Sequence, residues 1–220
     1  MSKKTFLVLG LGIFGSTIAK QLYNHDQDVI AVDKDMSCVE RISNRVSHAA
    51  VCDFTDINQL KALGVDNVDV AIIGVGSELE ESVLATMNLK ELKIPYIVAK
   101  ARNKKYAEIL LKLGVDRVVN PDKEIGIRAA KTLLASNIVD LIEVDDFYNI
   151  VEIKVNPNWV GKNLIELDLR RNYNINVLGI RPSKDERLML NLDPNVALKE
   201  DSQLLIIADH EILQKLDSIT

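Results

Sequence analysis

The chain has 220 residues, of which 47% are hydrophobic and 27% are charged, as in a globular protein with one large core or two smaller ones. Its formal net charge of −5 argues against a nucleic-acid binder, because the sequence contains no basic stripe. Two cysteines, Cys38 and Cys52, exclude a disulfide-rich scaffold and favour a reducing compartment.

The N-terminal residues lead directly into a predicted strand, so we expect no signal peptide. No apolar run approaches the roughly 18 residues that a membrane-spanning helix needs. Any role at a membrane would therefore be exercised through another protein.

An apolar run at residues 6–9 leads into a glycine motif with the spacing G-x-G-x-x-G. In such motifs Gly10 allows a tight turn, Gly12 lets the backbone approach a pyrophosphate, and Gly15 lets the next helix lie close to the sheet. The start of that helix offers unpaired N–H groups to phosphates. Asp33, at the end of the second predicted strand, can accept hydrogen bonds from a ribose diol. The motif predicts adenine-nucleotide binding, and the alternative is a Rossmann-like fold that has lost its ligand.

Short apolar runs alternate with helical patterns as far as residue 119, which is typical of βαβ units. We therefore expect an α/β fold with a six-stranded, Rossmann-like, doubly wound parallel sheet. The predicted strands are residues 5–10, 28–33, 49–52, 68–74, 96–99 and 115–119. The predicted helices are residues 13–25, 36–45, 57–63, 78–92 and 104–113.

A longer helical pattern follows Pro121 and runs from about residue 122 to 137, with no further strand of the sheet after it. The pattern leaves two interpretations open. The helix could cap the sheet, or it could be a crossover helix that mediates dimerisation.

Acidic residues cluster between Val139 and Phe147, and the pattern beyond them becomes rich in strands. We expect a first domain at residues 1–138 and a small α+β domain at residues 139–220. The predicted strands of the second domain are residues 149–155, 175–181, 187–190 and 203–208, and its predicted helices are residues 164–171 and 211–216.

In doubly wound sheets the ligand lies outside the carboxyl ends of the strands. Gly74 and Gly76 would let the backbone pass close to a ligand there. Lys100 and Arg102 could meet a phosphate, and the alternative is that they are ordinary surface charges. The candidate cofactor-binding residues at these strand ends are Gly10, Gly12, Ile13, Phe14, Gly15, Asp33, Lys34, Asp53, Phe54, Gly74, Val75, Gly76, Lys100 and Arg102.

The sequence offers few groups for catalysis. None of its three histidines, His25, His48 and His210, is placed by the sequence beside a centre for hydride transfer. There is no Walker A lysine, no metal-ligand spacing and no supported Ser/His/Asp arrangement. We interpret the chain as a nucleotide sensor with no catalytic residues, and an NAD-dependent oxidoreductase is the alternative.

Several of these segments resemble the nucleotide-binding domain of the RCK (regulator of potassium conductance) family. They are residues 10–15, 32–33, 52–53, 74–76, 99–101 and 113–126. Residues 167–170 and 173–177 look like the RCK C-terminal domain. The similarity covers essentially the whole chain and is closest to the cytoplasmic regulatory subunits, of KtrA or TrkA type, of Ktr/Trk potassium uptake systems.

This resemblance implies a homodimer that assembles into an octameric ring on the inner face of the plasma membrane, beneath a membrane-embedded potassium-translocating subunit. Exchange of ATP against ADP, or of NADH against NAD, would shift the ring between conformations and gate the pore. The helix from about residue 122 would be the crossover helix. A sensor for another cation channel or antiporter is a further alternative, because RCK domains serve several.

Two residues bear on the nucleotide. Relatives that respond to ATP carry arginine at the position of Ile13, so the resemblance implies weak discrimination between ATP and ADP here. Asp122 stands at the place of a family acid linked to a metal cation beside the phosphates. The alternative for Asp122 is an acid favoured by the helix dipole.

The resemblance also implies that the C-terminal domain binds cyclic di-AMP, as in some Gram-positive relatives. The matching residues are Leu164, Ile165, Arg170, Ile175, Asn176 and Pro194. The alternative is that Leu164, Ile165 and Ile175 form a minor core and that Arg170 makes a surface ion pair.

Overall fold

The computed structural model describes residues 3–76, 78–134, 138–145, 147–209 and 212–213. The chain divides into two compact units, residues 1–123 and residues 124–220. The predicted domain boundary between residues 138 and 139 stays a prediction. Among the helices of the described residues, none is both long and apolar enough to cross a lipid bilayer.

The first unit is built on a parallel sheet of six strands in the order β3-β2-β1-β4-β5-β6, which confirms the predicted doubly wound fold. The strands are β1 (Thr5–Leu9), β2 (Asp28–Asp33), β3 (His48–Val51), β4 (Val70–Ile73), β5 (Tyr96–Lys100) and β6 (Arg117–Val119). The helices are α1 (Ile13–Asn24), α2 (Met36–Glu40), α3 (Ile57–Ala62), α4 (Leu79–Glu91) and α5 (Lys104–Lys112). Helix α6 (Pro121–Leu134) begins in this unit and continues into the second.

The central strand β1 explains why its sequence is continuously apolar. Leu7 and Leu9 pack into the core on one face of the sheet, and Val8 packs into the core on the other. Helices cover both faces of a parallel sheet, so both sets of alternating side chains are buried. The chain order reverses between β1 and β4, and the glycine motif follows β1 at this switch point.

Polar side chains fix where helices begin. The Asp56 carboxylate accepts a hydrogen bond of 2.9 Å from the Asn58 N–H and caps α3. Asn103 accepts one of the same length from the Tyr106 N–H and caps α5. Each cap gives a backbone N–H at the start of its helix a hydrogen-bond acceptor.

The second unit has a sheet in the order β7-β8-β10-β9 with antiparallel pairing, which confirms the predicted α+β domain. Trp159, Ile175 and Leu204 lie in its core. Its strands are β7 (Ile138–Glu143), β8 (Tyr148–Lys154), β9 (Asn176–Arg181) and β10 (Gln203–Asp209), and its helices are α7 (Leu164–Leu167) and α8 (Leu169–Tyr173).

Several predicted elements of this part differ from the structure. The single predicted helix at residues 164–171 is two helices, because Asp168 takes a left-handed conformation with φ of 39°. The predicted strand at residues 187–190 is reduced to one bridge between Ile180 and Met189. Strand β7 was not predicted. Most of the predicted last helix, and residues 135–137 of the predicted crossover helix, lie outside the described residues.

Candidate nucleotide-binding site

The glycine turn has the geometry that its sequence predicts. Gly10 takes a φ of +88° and donates its N–H to the Val32 carbonyl at 2.8 Å. A Cβ on Gly15 would stand 1.9 Å from the Gly10 carbonyl oxygen, so α1 approaches the turn as only glycine allows. A Cβ on Gly12 would meet no protein atom within 4 Å. The turn is therefore tight on its protein side and open where a phosphate would approach.

Of the two glycines after β4, Gly74 is required by packing against backbone, whereas Gly76 is close to a flexible lysine side chain. A Cβ on Gly74 would stand 2.7 Å from the Gly10 carbonyl oxygen, and one on Gly76 would stand 3.1 Å from Cγ of Lys100. Val75 packs on the turn, with Cγ1 2.5 Å from where a Gly10 Cβ would lie. The predicted closeness of Gly74 and Gly76 to a ligand stays a prediction.

Asp33 is tied to the glycine turn. Its Oδ2 accepts a hydrogen bond of 2.6 Å from the Leu11 N–H, and its Oδ1 accepts one of 2.9 Å from the Asp35 N–H. A carboxylate has about four lone-pair sites, so both oxygens keep acceptor capacity. Asp33 is half-buried at the end of β2, and its predicted role toward a ribose stays a prediction.

Lys34 forms an ion pair with Glu81 in the first turn of α4, which the sequence did not indicate. The hydrogen bond to Glu81 raises the pKa of the Lys34 ammonium. No sequence motif marks Glu81, because the pairing joins residues that are far apart in the chain. The ion pair links the loop after β2 to the start of α4.

Asp53 and Phe54, after β3, have different surroundings. The Asp53 carboxylate accepts hydrogen bonds of 2.6 Å from the Thr55 hydroxyl and 2.9 Å from its N–H, which hold the pKa of Asp53 below its usual value. The Phe54 side chain is 2% exposed and lies in the core, so its main chain is what remains for a ligand. The Phe54 carbonyl already accepts a hydrogen bond from the Asn88 amide at 3.0 Å.

The cations after β5 have partners within the protein. The Lys100 ammonium lies 5.9 Å from the centre of the Phe14 ring and 3.5 Å from Oδ2 of Asp122. The Arg102 guanidinium lies over the Tyr106 ring, 5.3 Å from its centre. The part of the chain that the structure describes contains no group of three or more His, Cys, Asp or Glu residues that could hold a metal ion. Asp122 faces an ammonium group, and its predicted role toward a metal stays a prediction.

Ile13 is the first residue of α1 and is 91% exposed. Its side chain has no hydrogen-bond donor, so only its main-chain N–H could donate to a phosphate at the start of α1. Beside it, Leu11, Gly12, Ile13 and Ser16 line a cavity of about 100 Å³ together with Lys20 and Arg41, two cations that the sequence did not single out.

Two of the residues matched to cyclic di-AMP contacts meet in the second unit. The Leu164 N–H donates a hydrogen bond of 3.1 Å to the Pro194 carbonyl. Leu164 is half-buried against the core of this unit, whereas Ile165 is 60% exposed. The exposed apolar side chain of Ile165 therefore follows directly after the residue that contacts Pro194.

The other three residues surround the junction between α8 and β9. Arg170 is exposed, and no ion pair joins it to an acid among the described residues. Asn176 is exposed at the start of β9. Ile175 is 1% exposed and belongs to the core, as the minor-core interpretation expected.

Family models match both parts of the sequence. The model of the TrkA-N domain matches residues 6–121, and the model of the TrkA-C domain matches residues 150–220. The chain belongs to the TrkA family. The RCK resemblance of its motifs is thereby confirmed.

Two relatives match this TrkA-family chain over most of their own length. Ktr system potassium uptake protein C of Bacillus subtilis (strain 168) is 36% identical over 204 residues, which are 93% of this chain and 92% of that protein. Ktr system potassium uptake protein A of the same strain is 32% identical over 218 residues, which are 99% of this chain and 97% of that protein.

The fold is shared with solved structures of a channel. The GsuK channel bound to NAD is similar with a TM-score of 0.62 and 18% identity, over 99% of this chain and 39% of that chain. This likeness concerns the fold alone. The chain spans well under half of the length of the GsuK chain.

Proposed function

We propose that this chain is a cytoplasmic, non-enzymatic regulatory subunit of a Ktr-type potassium uptake system and that it senses an adenine nucleotide. The observation that carries the proposal is the glycine turn, which is closed around Gly15, open beside Gly12 and joined to Asp33. The family membership and the two Ktr relatives support the link to potassium uptake.

The bound nucleotide would be ATP or ADP, or NAD or NADH. Phosphates would lie at the start of α1 above Gly12, and the ribose diol would donate hydrogen bonds to Asp33. The carboxylate of Asp33 disfavours the 2′-phosphate of NADP. The side chain of Ile13 gives a terminal phosphate no hydrogen-bond donor, so we expect ATP and ADP to bind with similar affinity. One nucleotide can then shift the assembly relative to another only if the two make different contacts in its alternative conformations.

The proposed assembly is a homodimer that forms an octameric ring on a membrane-embedded potassium-translocating subunit. The exposed apolar residues of α6 support its role as a dimerisation helix, since Ile125 is 67% exposed and Leu133 is 86% exposed. Such side chains on a helix surface favour burial against a partner. Gating would follow from a shift of the ring between conformations.

We propose no chemical reaction at this site. His25 and His48 are exposed, and the Nδ1 of His25 lies 2.7 Å from the Gln21 carbonyl oxygen in α1. His210 lies outside the described residues. An oxidoreductase would need a proton donor or acceptor beside the nicotinamide. The alternatives are an oxidoreductase, which steady turnover of NADH would favour, and a sensor for another cation channel or antiporter.

The second unit would bind cyclic di-AMP as an inhibitory ligand. Exposed Arg170 can meet a phosphate, and exposed Asn176 and Ile165 can contact the bases. Leu164 and Pro194 would form the apolar side of the site. Ile175 would support these residues from the core.

The function is tested by growth at limiting potassium. A strain that lacks this gene and its redundant homologues should grow poorly at low external potassium and normally at high potassium. A plasmid copy of the wild-type gene should restore growth. Normal growth of the deletion strain at low potassium would remove the link to potassium uptake, and a steady turnover of NADH with a substrate would favour an oxidoreductase.

A further inference from the structure

Lys100 lies where three parts of the first unit meet. Its stem passes Gly76 after β4, and its ammonium lies 5.9 Å from the centre of the Phe14 ring in the glycine turn. Its side chain is 22% exposed. Lys100 is therefore held in a largely covered position from which its charge faces the region where phosphates would bind.

The counter-ion of Lys100 is Asp122, in the first turn of α6. The distance from Nζ to Oδ2 is 3.5 Å, and the Asp122 side chain is 76% exposed. An ion pair this long and this exposed is weak. A phosphate carries more charge and accepts short charge-assisted hydrogen bonds, so it would compete successfully for the ammonium.

The start of α6 is anchored at the same edge of the sheet. The Asn120 side chain accepts a hydrogen bond of 3.1 Å from the Lys123 N–H and donates one of 3.2 Å to the Arg102 carbonyl. Helix α6 then continues to Leu134, and its residues from 124 onward belong to the second unit. A change at Asp122 therefore acts on the helix that connects the two units covalently.

We infer that Lys100 transmits the occupancy of the nucleotide pocket to α6 by exchanging Asp122 for a phosphate of the bound nucleotide. This inference rests on the proposed function, since it requires a nucleotide in the pocket. With the pocket empty, Lys100 restrains the first turn of α6 through Asp122. With nucleotide bound, Asp122 loses this partner.

The exchange is tested by hydrogen–deuterium exchange of a peptide that spans α6, with and without saturating ADP or NAD. In the wild-type protein the nucleotide should change the deuterium uptake of this peptide. In Asp122→Asn, measured at a nucleotide concentration that saturates this variant, the change should fall to less than half of the wild-type change. Lys100→Met should weaken binding about tenfold and remove the change at saturation.

Matched controls lie on the neighbouring helix. Lys104→Met removes an exposed positive charge from α5 and is the control for Lys100→Met. Glu108→Gln removes an exposed negative charge from α5 and is the control for Asp122→Asn. Both variants should retain the nucleotide-dependent change in deuterium uptake. An undiminished change in Asp122→Asn with nucleotide bound would overturn the exchange and leave nucleotide binding standing. Failure of the wild-type protein to bind any adenine nucleotide would instead overturn the proposed function, and this inference with it.

Discussion

The carbonyl oxygen of Gly10 lies 1.9 Å from the position that a β-carbon on Gly15 would occupy. Backbone atoms of helix α1 and of the turn after β1 are therefore in direct contact at this point. The neighbouring Gly12 has no protein atom within 4 Å of its own β-carbon position and a φ of −59°, which any residue adopts. One motif thus contains a glycine required by the fold and a glycine whose open side faces the proposed ligand.

Gly15→Ala should destabilise the first unit strongly, because the added methyl group forces α1 away from the turn. Overpacking of this kind costs about 1–3 kcal/mol or more of unfolding free energy. Gly12→Ala should change the unfolding free energy by less than about 1 kcal/mol. Denaturant titration of both variants measures the difference, and equal stability of the two would contradict the assigned role of Gly15.

Asp33→Asn should relax the preference against NADP. The change removes the charge that disfavours a 2′-phosphate but keeps an oxygen that can accept from the Leu11 N–H. We expect the affinity ratio of NADPH to NADH to rise about tenfold. Competition binding measures this ratio. Asp35→Asn removes a nearby charge while keeping a good helix cap, so an equal rise in that variant would show a general charge effect and contradict the role of Asp33.

The carboxyl of Asp53 should show a pH dependence that Thr55 controls. The Thr55 hydroxyl and N–H hold the pKa of Asp53 below its usual value. Asp53 therefore stabilises the fold above its unfolded-state pKa of about 3.9, and this contribution is lost as the pH falls through the lower folded-state pKa. Thr55→Val removes the hydroxyl hydrogen bond and should raise the pKa, which an NMR titration of the carboxyl carbon measures.

The control for this titration is Ser37→Ala. The Ser37 N–H and, next in importance, the Ser37 hydroxyl hold the pKa of the Asp35 carboxyl below its usual value, and Ser37→Ala removes only the hydroxyl. Its replacement should raise the pKa of Asp35 and leave that of Asp53 unchanged. An Asp53 pKa that does not move in Thr55→Val would show that the hydroxyl hydrogen bond is not its cause.

Cyclic di-AMP binding to the second unit should depend on Arg170 and Asn176. The double change Arg170→Ala with Asn176→Ala removes a phosphate partner and a polar contact and should weaken binding at least about 100-fold. Arg171→Ala removes an adjacent exposed arginine and should bind like wild type. Calorimetry with cyclic di-AMP compares the variants. Absence of binding to wild type, or binding that survives the double change, would refute the site.

The sequence predicted the first unit well because local and tertiary preferences agree there. Residues 7–9 of the apolar run are buried on the two faces of the sheet, and the caps at Asp56 and Asn103 act within their own helices. Such features depend on near neighbours in the chain. The fold class and the glycine turn were therefore predictable without a structure.

Contacts between distant residues were not predictable in the same way. The sequence does not show that the Gly10 carbonyl oxygen lies 2.7 Å from the position that a β-carbon on Gly74 would occupy. The left-handed conformation of Asp168 divides what the pattern presents as one helix, because helical periodicity does not report a single residue with positive φ. Acidic residues interrupt the apolar alternation of β7, so its pairing with β8 decides its structure.

Calorimetric titration of the purified wild-type protein and of Gly12→Ala with NAD, NADH, ADP and ATP tests the central claim most directly. We predict that wild type binds at least one of these nucleotides and that Gly12→Ala, with unchanged stability, binds it at least about tenfold more weakly, because its methyl group occupies the space above the turn. A wild-type protein that binds none of them, or a variant that binds as tightly as wild type, would contradict the account.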